Sequence, residues 1–180
     1  MTTRRDFLKT MTMASAGLAL GTGDLLGAPI SVSQRKAAAD KVKIAYVGIG
    51  NRGEQIIGDF ARTGMVEVVA LCDVDMGAPH TQKVMNMYPK AKRFRDFRQM
   101  FDKAGNDFDA VAIATPDHSH FPITMLALAS GKHVYVEKPL ARTFYEAELL
   151  MQAALKRPNL VTQVGNQGHS EANYFQFKAW

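Results

Sequence analysis

The stretch KIAYVGIGNRG, from Lys43 to Gly53, decides the fold of this 180-residue chain. It begins with a short apolar run and continues with three glycines, Gly48, Gly50 and Gly53, in the spacing G-x-G-x-x-G. From Ile56 onward, apolar residues recur at the intervals of an α-helix. A strand, a glycine-rich turn and a helix in this order predict the first β-α unit of a dinucleotide-binding domain.

Each glycine of this turn has a physical task. Gly48 permits a tight turn off the strand, Gly50 lets backbone N–H groups approach a diphosphate, and Gly53 lets the helix pack close to the sheet. The helix N-terminus adds unpaired N–H groups and the positive end of the helix dipole. The sequence therefore predicts that the cofactor contacts the whole loop, namely Gly48, Ile49, Gly50, Asn51, Arg52 and Gly53.

An acidic residue follows where such domains bind a ribose. Asp73 lies twenty residues after Gly53, at the end of the apolar run 66–72. Its carboxylate is placed to accept hydrogen bonds from the 2′-hydroxyl of an adenosine ribose, whereas a 2′-phosphate would meet a like charge. The sequence therefore predicts NAD as the cofactor and disfavours NADP. The structural alternative is a carboxylate that caps a helix or a loop.

The rest of the chain alternates between apolar runs and helical patterns. Continuous apolar runs such as 66–72 are typical of strands that are covered on both faces in a parallel sheet. This alternation predicts an α/β fold with a doubly wound, mostly parallel sheet of about six strands. The predicted strands are 42–47, 66–72, 92–94, 110–114, 133–136 and 160–164, and the predicted helices are 52–62, 79–88, 97–104, 122–130 and 144–156.

The composition is that of a globular chain, with 47% hydrophobic and 22% charged residues. Of the formal net charge of +5, residues 1–39 carry +3. The remaining charge of +2 is too small to indicate a surface that binds DNA or RNA. We therefore expect no nucleic-acid partner. The single cysteine, Cys72, excludes an internal disulfide and a cysteine-based zinc site, and it is expected to be a small core residue.

The first 39 residues have the pattern of an export signal. TRRDFLK at 3–9 matches the twin-arginine signal, which the export machinery reads as an address. The apolar stretch 10–26 is diluted by small polar residues and interrupted by Asp24, so no stable membrane span is expected. AAA at 37–39 offers a cleavage site. We predict a signal peptide at 1–39, a domain at 40–180 and a periplasmic or otherwise exported protein; an uncleaved, anchoring N-terminus is the alternative.

Two further loops leave the carboxyl ends of predicted strands, where open α/β sheets place their ligands. TPDHSH at 115–120 contains an H-x-H pattern that suggests metal ligands, with His169 as a third. Histidines in a turn more often cap, hydrogen-bond or face solvent, so we expect no metal site. The second loop is Glu137-Lys138-Pro139. From composition alone, a glutamate and a lysine side by side at the end of a strand are expected to be a solvated pair on the surface. Beside a bound NAD⁺, however, Lys138 suits proton exchange with a substrate hydroxyl.

Five segments together are similar to one known family. GIGNRG, CDVD, ATPDHSH, GKHVYVEKPLA and QVGNQGHS, in this order, resemble the N-terminal half of the Gfo/Idh/MocA family of NAD(P)-dependent oxidoreductases, from about Lys41 to the end. The resemblance implies a Rossmann domain and also a second α+β domain that covers the cofactor and builds the substrate pocket. The resemblance also implies that this second domain carries the usual oligomer surface, and we expect it to be missing from a chain that ends at Trp180. We therefore expect an incomplete copy of an enzyme, truncated after the sixth strand, that forms a homo-oligomer only with the second domain present; a self-sufficient short protein is the alternative.

The same resemblance implies roles for individual residues. The three glycines would hold the diphosphate and Asp73 the adenosine ribose. Glu137 would bind the nicotinamide ribose, and Lys138 would be the catalytic lysine, aimed by a cis bond before Pro139. Further cofactor contacts would be Thr115, Pro116, His120 and Asn166, and weaker assignments to the substrate are His118, Gln167 and His169.

Three functions follow from the resemblance. The first is an oxidoreductase that transfers hydride between a nicotinamide and a sugar, polyol or related hydroxyl compound. The second is an NAD-dependent glycoside hydrolase, in which a tightly held NAD⁺ transiently oxidises the sugar before the glycosidic bond breaks. The third is a non-catalytic nucleotide-binding module.

Overall fold

A computed structural model describes residues 41–170 and 172–179. Six strands form one sheet: β1 Val42–Val47, β2 Val66–Cys72, β3 Lys92–Phe94, β4 Ala110–Ile113, β5 His133–Glu137 and β6 Thr162–Gly165. Every strand pairs in parallel with its neighbours, in the order β3-β2-β1-β4-β5-β6. The prediction of an α/β fold with a parallel sheet of six strands is confirmed.

The strand order reverses at the centre of the sheet. The chain first builds outward from β1 through β2 to β3, then returns to the other side of β1 and builds β4, β5 and β6. In open α/β sheets, ligands bind in the crevice at the carboxyl ends of the strands where this reversal occurs. The loops after β1 and β4 therefore border the expected ligand site.

Among the described residues, five helices cover the two faces of the sheet: α1 Arg52–Arg62, α2 Pro79–Met87, α3 Phe97–Ala104, α4 His120–Ala129 and α5 Phe144–Leu155. A further helix, α6 Ala172–Ala179, follows β6. Successive residues of β1 point to opposite faces: Ile44 and Tyr46 join a core with α1 and α2, whereas Ala45 and Val47 join a second core with α3, α4 and α5. Strand β1 is thus buried from both sides, which explains why most of its residues are apolar.

The predicted helix and strand bounds agree with the structure to within two residues. Helix α4 begins at His120 because Pro122 lies in its first turn, where the missing N–H of a proline needs no partner. Strand β6 begins only at Thr162, since the N–H of Leu160 donates instead to the Arg157 carbonyl within a turn. The structure adds three short 3-10 segments, at Gly105–Asp107, Asp117–Ser119 and Gln167–Ser170. Segments of three or four residues are too short to show a periodicity in the sequence.

The predicted signal peptide, residues 1–39, lies outside the described residues. The cleavage site at 37–39 and the domain boundary at residue 40 therefore stay predictions. In the part of the chain that the structure describes, no helix is both long enough and apolar enough to cross a membrane.

Candidate functional site

A cavity of about 460 Å³ opens at the carboxyl ends of β1, β2 and β4. It lies where the strand order reverses, at the crevice that the topology predicts. The loops after these three strands meet around it. Seven of the residues that the sequence predicted for the site contribute to its walls: Gly48, Gly50, Asn51, Asp73, Thr115, Pro116 and His118.

Close backbone contacts require the glycines of the first loop. Gly48 has a φ of +80°, and a Cβ atom on it would lie 2.5 Å from the carbonyl oxygen of Ala114, the residue after β4. A Cβ atom on Gly53 would collide with the carbonyl oxygen of Gly48. The loop therefore packs against the end of β4 and against its own first residue, at distances that a side chain would prevent.

Helix α1 starts at the wall of this cavity. Asn51 precedes the helix with a φ of 47° and makes no side-chain hydrogen bond that caps it. The N–H of Gly53 donates to the carbonyl of Gly50 at 2.8 Å, which closes the turn. Because Asn51 lines the cavity, the N-terminus of an 11-residue helix and the positive end of its dipole face a site that suits an anion.

Among the cavity residues that the sequence did not predict for the site are two with basic side chains, His80 and Arg95. The imidazole of His80 occupies the space where a side chain on Gly50 would be, and Arg95 lies on the same wall and donates from Nη2 to the Met76 carbonyl at 3.0 Å. His80 stands near the start of α2, and Arg95 follows β3 directly. Both follow the carboxyl end of a strand, β2 for His80 and β3 for Arg95, and this position is the sequence signal that points to them.

Asp73 connects the glycine loop to the end of β2. One carboxylate oxygen, Oδ2, accepts the N–H of Ile49 at 2.9 Å, and the other, Oδ1, accepts the N–H of Asp75 at 2.9 Å. Each carboxylate oxygen can accept a second hydrogen bond, so the group keeps capacity toward the cavity that it lines. The structural alternative considered for Asp73, a loop carboxylate, is therefore realised alongside its position in the cleft.

Glu137, at the end of β5, is a nearly buried carboxylate with one satisfied oxygen. Its Oε1 accepts from Arg52 Nε at 3.2 Å, from Arg52 Nη2 at 3.0 Å and from the hydroxyl of Tyr135 at 3.2 Å. Its Oε2 is buried and has no hydrogen-bond partner among the described residues. Burial, and next the charge of Glu137, raise the pKa of Tyr135, which keeps the phenol protonated as a donor.

The two loops after β4 and β5 are joined by His120. Its side chain is 1% exposed, with Nδ1 2.6 Å from the Pro139 carbonyl oxygen and Nε2 2.8 Å from the Thr115 carbonyl oxygen. The peptide bond between Lys138 and Pro139 is cis, as predicted, and the Lys138 side chain is exposed. The structure thus places His120 between two loop backbones, in contact with carbonyl groups.

The last residue of β6, Gly165, lies close to Glu137. A Cβ atom on Gly165 would lie 2.6 Å from Glu137 Oε1, so this end of β6 packs tightly against the carboxylate. The next residues, Asn166, Gln167 and His169, are exposed. The ring of His169 packs near that of Tyr174 in α6, with centroids 4.8 Å apart. Within residues 41–170 and 172–179, no three His, Cys, Asp or Glu side chains are grouped so as to hold a metal ion.

Three features of the cleft fit a dinucleotide. The glycine loop packs against neighbouring atoms at distances that side chains would prevent, and the N-terminus of α1 faces the cavity that the loop lines. Four buried side-chain atoms have no hydrogen-bond partner among the described residues: Tyr46 Oη, Thr115 Oγ1, Thr124 Oγ1 and Glu137 Oε2. Of these residues Thr115 lines the cavity, so a ligand there could supply the hydrogen bond that its hydroxyl lacks.

The strand order, and the glycine loop that lines the cavity where this order reverses, define the class, a dinucleotide-binding α/β domain of the Rossmann type. A family model described as the Gfo/Idh/MocA oxidoreductase family, NAD-binding Rossmann fold, matches residues 42–165. The chain belongs to this family. The resemblance that five sequence segments suggested is thereby confirmed.

Curated relatives carry glycoside hydrolase names. A glycosyl hydrolase family 109 protein of Shewanella pealeana is 31% identical over 167 residues, which cover 84% of this chain and 36% of the relative. An α-N-acetylgalactosaminidase of Shewanella oneidensis is 29% identical over 169 residues, with the same two coverages of 84% and 36%. The chain therefore spans about a third of the length of these relatives.

Solved structures of the same fold carry dehydrogenase names. The scyllo-inositol dehydrogenase of Lactobacillus casei, determined with NAD(H) and scyllo-inositol bound, is 27% identical and superposes with a TM-score of 0.67. The match covers 78% of this chain and 40% of that structure. The described sheet and helices are thus similar to part of an NAD(H)-binding polyol dehydrogenase.

Proposed function

We propose that this chain binds NAD in the cleft at the carboxyl ends of β1, β2 and β4. The observation that carries this proposal is the cavity that Gly48, Gly50 and Asn51 line at the N-terminus of α1, where a diphosphate would meet main-chain N–H groups. The family match to an NAD-binding Rossmann fold supports it. Arg52 lies at this helix terminus but is paired with Glu137, so the main-chain N–H groups would contact the diphosphate.

We further propose that the cleft prefers NAD to NADP. Asp73 lines the cavity at the end of β2, and its carboxylate is held in place by the N–H groups of Ile49 and Asp75. A second carboxylate, Asp75, lines the same wall. A 2′-phosphate on the adenosine ribose would meet both negative charges, whereas a 2′-hydroxyl would donate a hydrogen bond to Asp73.

We propose that the complete protein is an oxidoreductase acting on a sugar, polyol or related hydroxyl compound. NAD, when bound, supplies a hydride acceptor at the nicotinamide C4. The unpaired Oε2 of Glu137 would accept hydrogen bonds from the ribose at the nicotinamide end. Lys138, exposed at the next position, would exchange a proton with the substrate hydroxyl. Asn166 would contribute to the cofactor end, and His118, Gln167 and His169 to the substrate end.

A second candidate function is an NAD-dependent glycoside hydrolase. The observation that favours it is the names of the curated relatives, which include an α-N-acetylgalactosaminidase. The cleft residues would have the same positions in both reactions, because each begins with proton removal from a sugar hydroxyl beside the nicotinamide. The two functions differ in outcome, since a hydrolase would return the hydride and accumulate no NADH.

We propose export through the twin-arginine machinery, on the basis of the TRRDFLK segment at 3–9, and a periplasmic location. This route carries proteins that have already folded, so a cofactor loaded before export would remain with the protein. Homo-oligomer formation is proposed only for a protein that also carries the second domain of the family.

Calorimetric titration of the full chain with NAD⁺, NADH and NADP⁺ tests the cofactor proposal. We expect heat with NAD⁺ and NADH and weaker binding of NADP⁺. A folded chain that binds none of the three would contradict it. For the protein with its second domain, NADH accumulation with free polyols would support the oxidoreductase. Release of an aryl group from an aryl N-acetylgalactosaminide without net NADH would support the hydrolase, and bound NAD with neither activity would support a non-catalytic module.

A further inference from the structure

His120 is a buried side chain whose two ring nitrogens both face hydrogen-bond acceptors. Nδ1 lies 2.6 Å from the Pro139 carbonyl oxygen and Nε2 lies 2.8 Å from the Thr115 carbonyl oxygen. A peptide carbonyl oxygen accepts hydrogen bonds and donates none. A neutral imidazole carries one N–H, so it can satisfy one of these contacts and would point a lone pair at the other oxygen. Only the doubly protonated ring donates to both carbonyls.

We propose that His120 is an imidazolium that donates to the Thr115 and Pro139 carbonyls and thereby fixes the spacing of the two loops that follow β4 and β5. The contacts join backbone 24 residues apart in the chain. Pro139 directly follows Lys138, and Thr115 lines the cavity. His120 is therefore a positioning residue, acting on Lys138 and on the cofactor wall through the backbone without facing the cavity itself.

The charged side chains on the two loops that His120 contacts, and at the start of α5, are exposed or have other partners. Asp117 and His118 on the first loop and Lys138 on the second are exposed, and Glu137 is paired with Arg52. On the start of α5, Glu146 accepts the N–H groups of Arg142 and Thr143. The two carbonyl contacts, at 2.6 and 2.8 Å, are therefore the geometric basis for assigning a doubly protonated ring.

The protein contains an internal contrast for this assignment. His133 Nδ1 lies 2.9 Å from the backbone nitrogen of Val161, which can only donate. Nδ1 of His133 must therefore accept this hydrogen bond, so the ring is neutral and carries its proton on Nε2. His120 and His133 are thus expected to differ in how many of their ring nitrogens carry a proton.

Long-range ¹H–¹⁵N NMR correlation on the full chain with labelled histidine tests the proposal without any ligand. At about pH 8, where an exposed imidazole is neutral, we expect two protonated nitrogen signals for His120 and one protonated and one bare nitrogen for His133. Loss of signals in a His120→Phe variant assigns them; should that variant not fold, replacing the other four histidines one at a time assigns them by elimination. A bare nitrogen in His120 would overturn the inference.

The consequence for the cofactor rests on the proposed function and is measured separately. We expect His120→Phe, which keeps a ring and removes both donors, to weaken NAD binding about tenfold, and His120→Gln, which restores N–H donors, to recover part of that loss. Equal binding by the wild type and both variants would overturn the positioning role. Absence of NAD binding in the wild-type chain would contradict the proposed function and leave the ring-nitrogen measurement decisive for His120.

Discussion

The N–H of Ile49 donates to the carboxylate of Asp73 at 2.9 Å, across 24 residues of sequence. The contact ties the centre of the glycine loop to the end of β2. The side chain expected to contact the cofactor ribose therefore also holds the loop expected to contact the diphosphate. Because the second oxygen of Asp73 accepts the N–H of Asp75, the carboxylate orders both segments before any ligand arrives.

Replacement of Asp73 by alanine should affect stability as well as cofactor binding. Two backbone N–H groups lose a charged acceptor, so we expect Asp73→Ala to lower the free energy of unfolding by about 2 kcal/mol. Urea unfolding measures this, and calorimetry should show weaker NAD binding with less discrimination against NADP. For the stability measurement Asp75→Ala is the matched control, since the Asp75 side chain is 69% exposed and its one contact with His80, at 3.9 Å, is lost. Equal stability of the two variants would contradict the structural role of Asp73.

The fold was largely predictable from sequence because its signals are local. The run 66–72 is apolar without interruption, and Gly131 ends α4 at a φ of +71° that glycine adopts readily. Glycines and prolines mark most of the turns, so element ends were found to within two residues. The sequence pattern predicts the start of α4 two residues late, because proline is common at the first helical position, whereas the helix begins at His120.

The candidate site was predictable in its loops and less so in its contacts. The sequence identified Glu137 and Arg52 as separate site residues, but no periodicity shows that they pair at 3.0 Å across 85 residues. His120 was expected to line the cleft, whereas its ring contacts two loop carbonyls. Such contacts depend on where parallel strands place their loops in space, which residue types alone do not specify.

The Arg52 and Glu137 pair should behave as one unit. Arg52→Met leaves a nearly buried carboxylate with only the Tyr135 hydroxyl, and we expect a loss of about 1–2 kcal/mol, below the range for fully buried pairs because Arg52 is 34% exposed. The double variant Arg52→Met/Glu137→Gln buries no unpaired charge and should be more stable than Arg52→Met alone. Urea unfolding of the four proteins of this cycle measures the coupling. Simple additivity of the two single losses would show that the pair contributes nothing.

Stability should depend on pH at the start of α3. Asp96 accepts the backbone N–H of Arg98 at 2.9 Å and pairs with its guanidinium at 2.7 Å. Hydrogen bonds from Arg98 lower the pKa of Asp96 in the folded state. The contribution is therefore complete above the unfolded pKa of about 3.9 and is lost as the pH falls through the lower folded pKa.

An Asp96→Asn variant isolates this charge because asparagine caps helices as well as aspartate does. We expect the wild type to be the more stable at neutral pH and the difference to shrink below about pH 4. Asp102→Asn makes the same change of charge on an exposed position of α3 and serves as control. A difference for Asp96→Asn that stays constant down to the acid transition would contradict the assigned pKa shift.

Two glycines of α1 should respond in opposite ways to the same substitution. A methyl group on Gly53 would collide with the Gly48 carbonyl, so Gly53→Ala must move the loop or the helix, at a cost of about 1–3 kcal/mol. On Gly58 the nearest atom is the end of the flexible Arg62 side chain at 3.9 Å, so Gly58→Ala should stabilise the helix by about 0.5–1 kcal/mol. Thermal or urea unfolding distinguishes the two signs. Calorimetry should then show weakened NAD binding for Gly53→Ala alone, because only that change displaces the loop that lines the cleft. Unimpaired binding by a folded Gly53→Ala variant would mean that the close contact between Gly53 and Gly48 is not needed for the cofactor site.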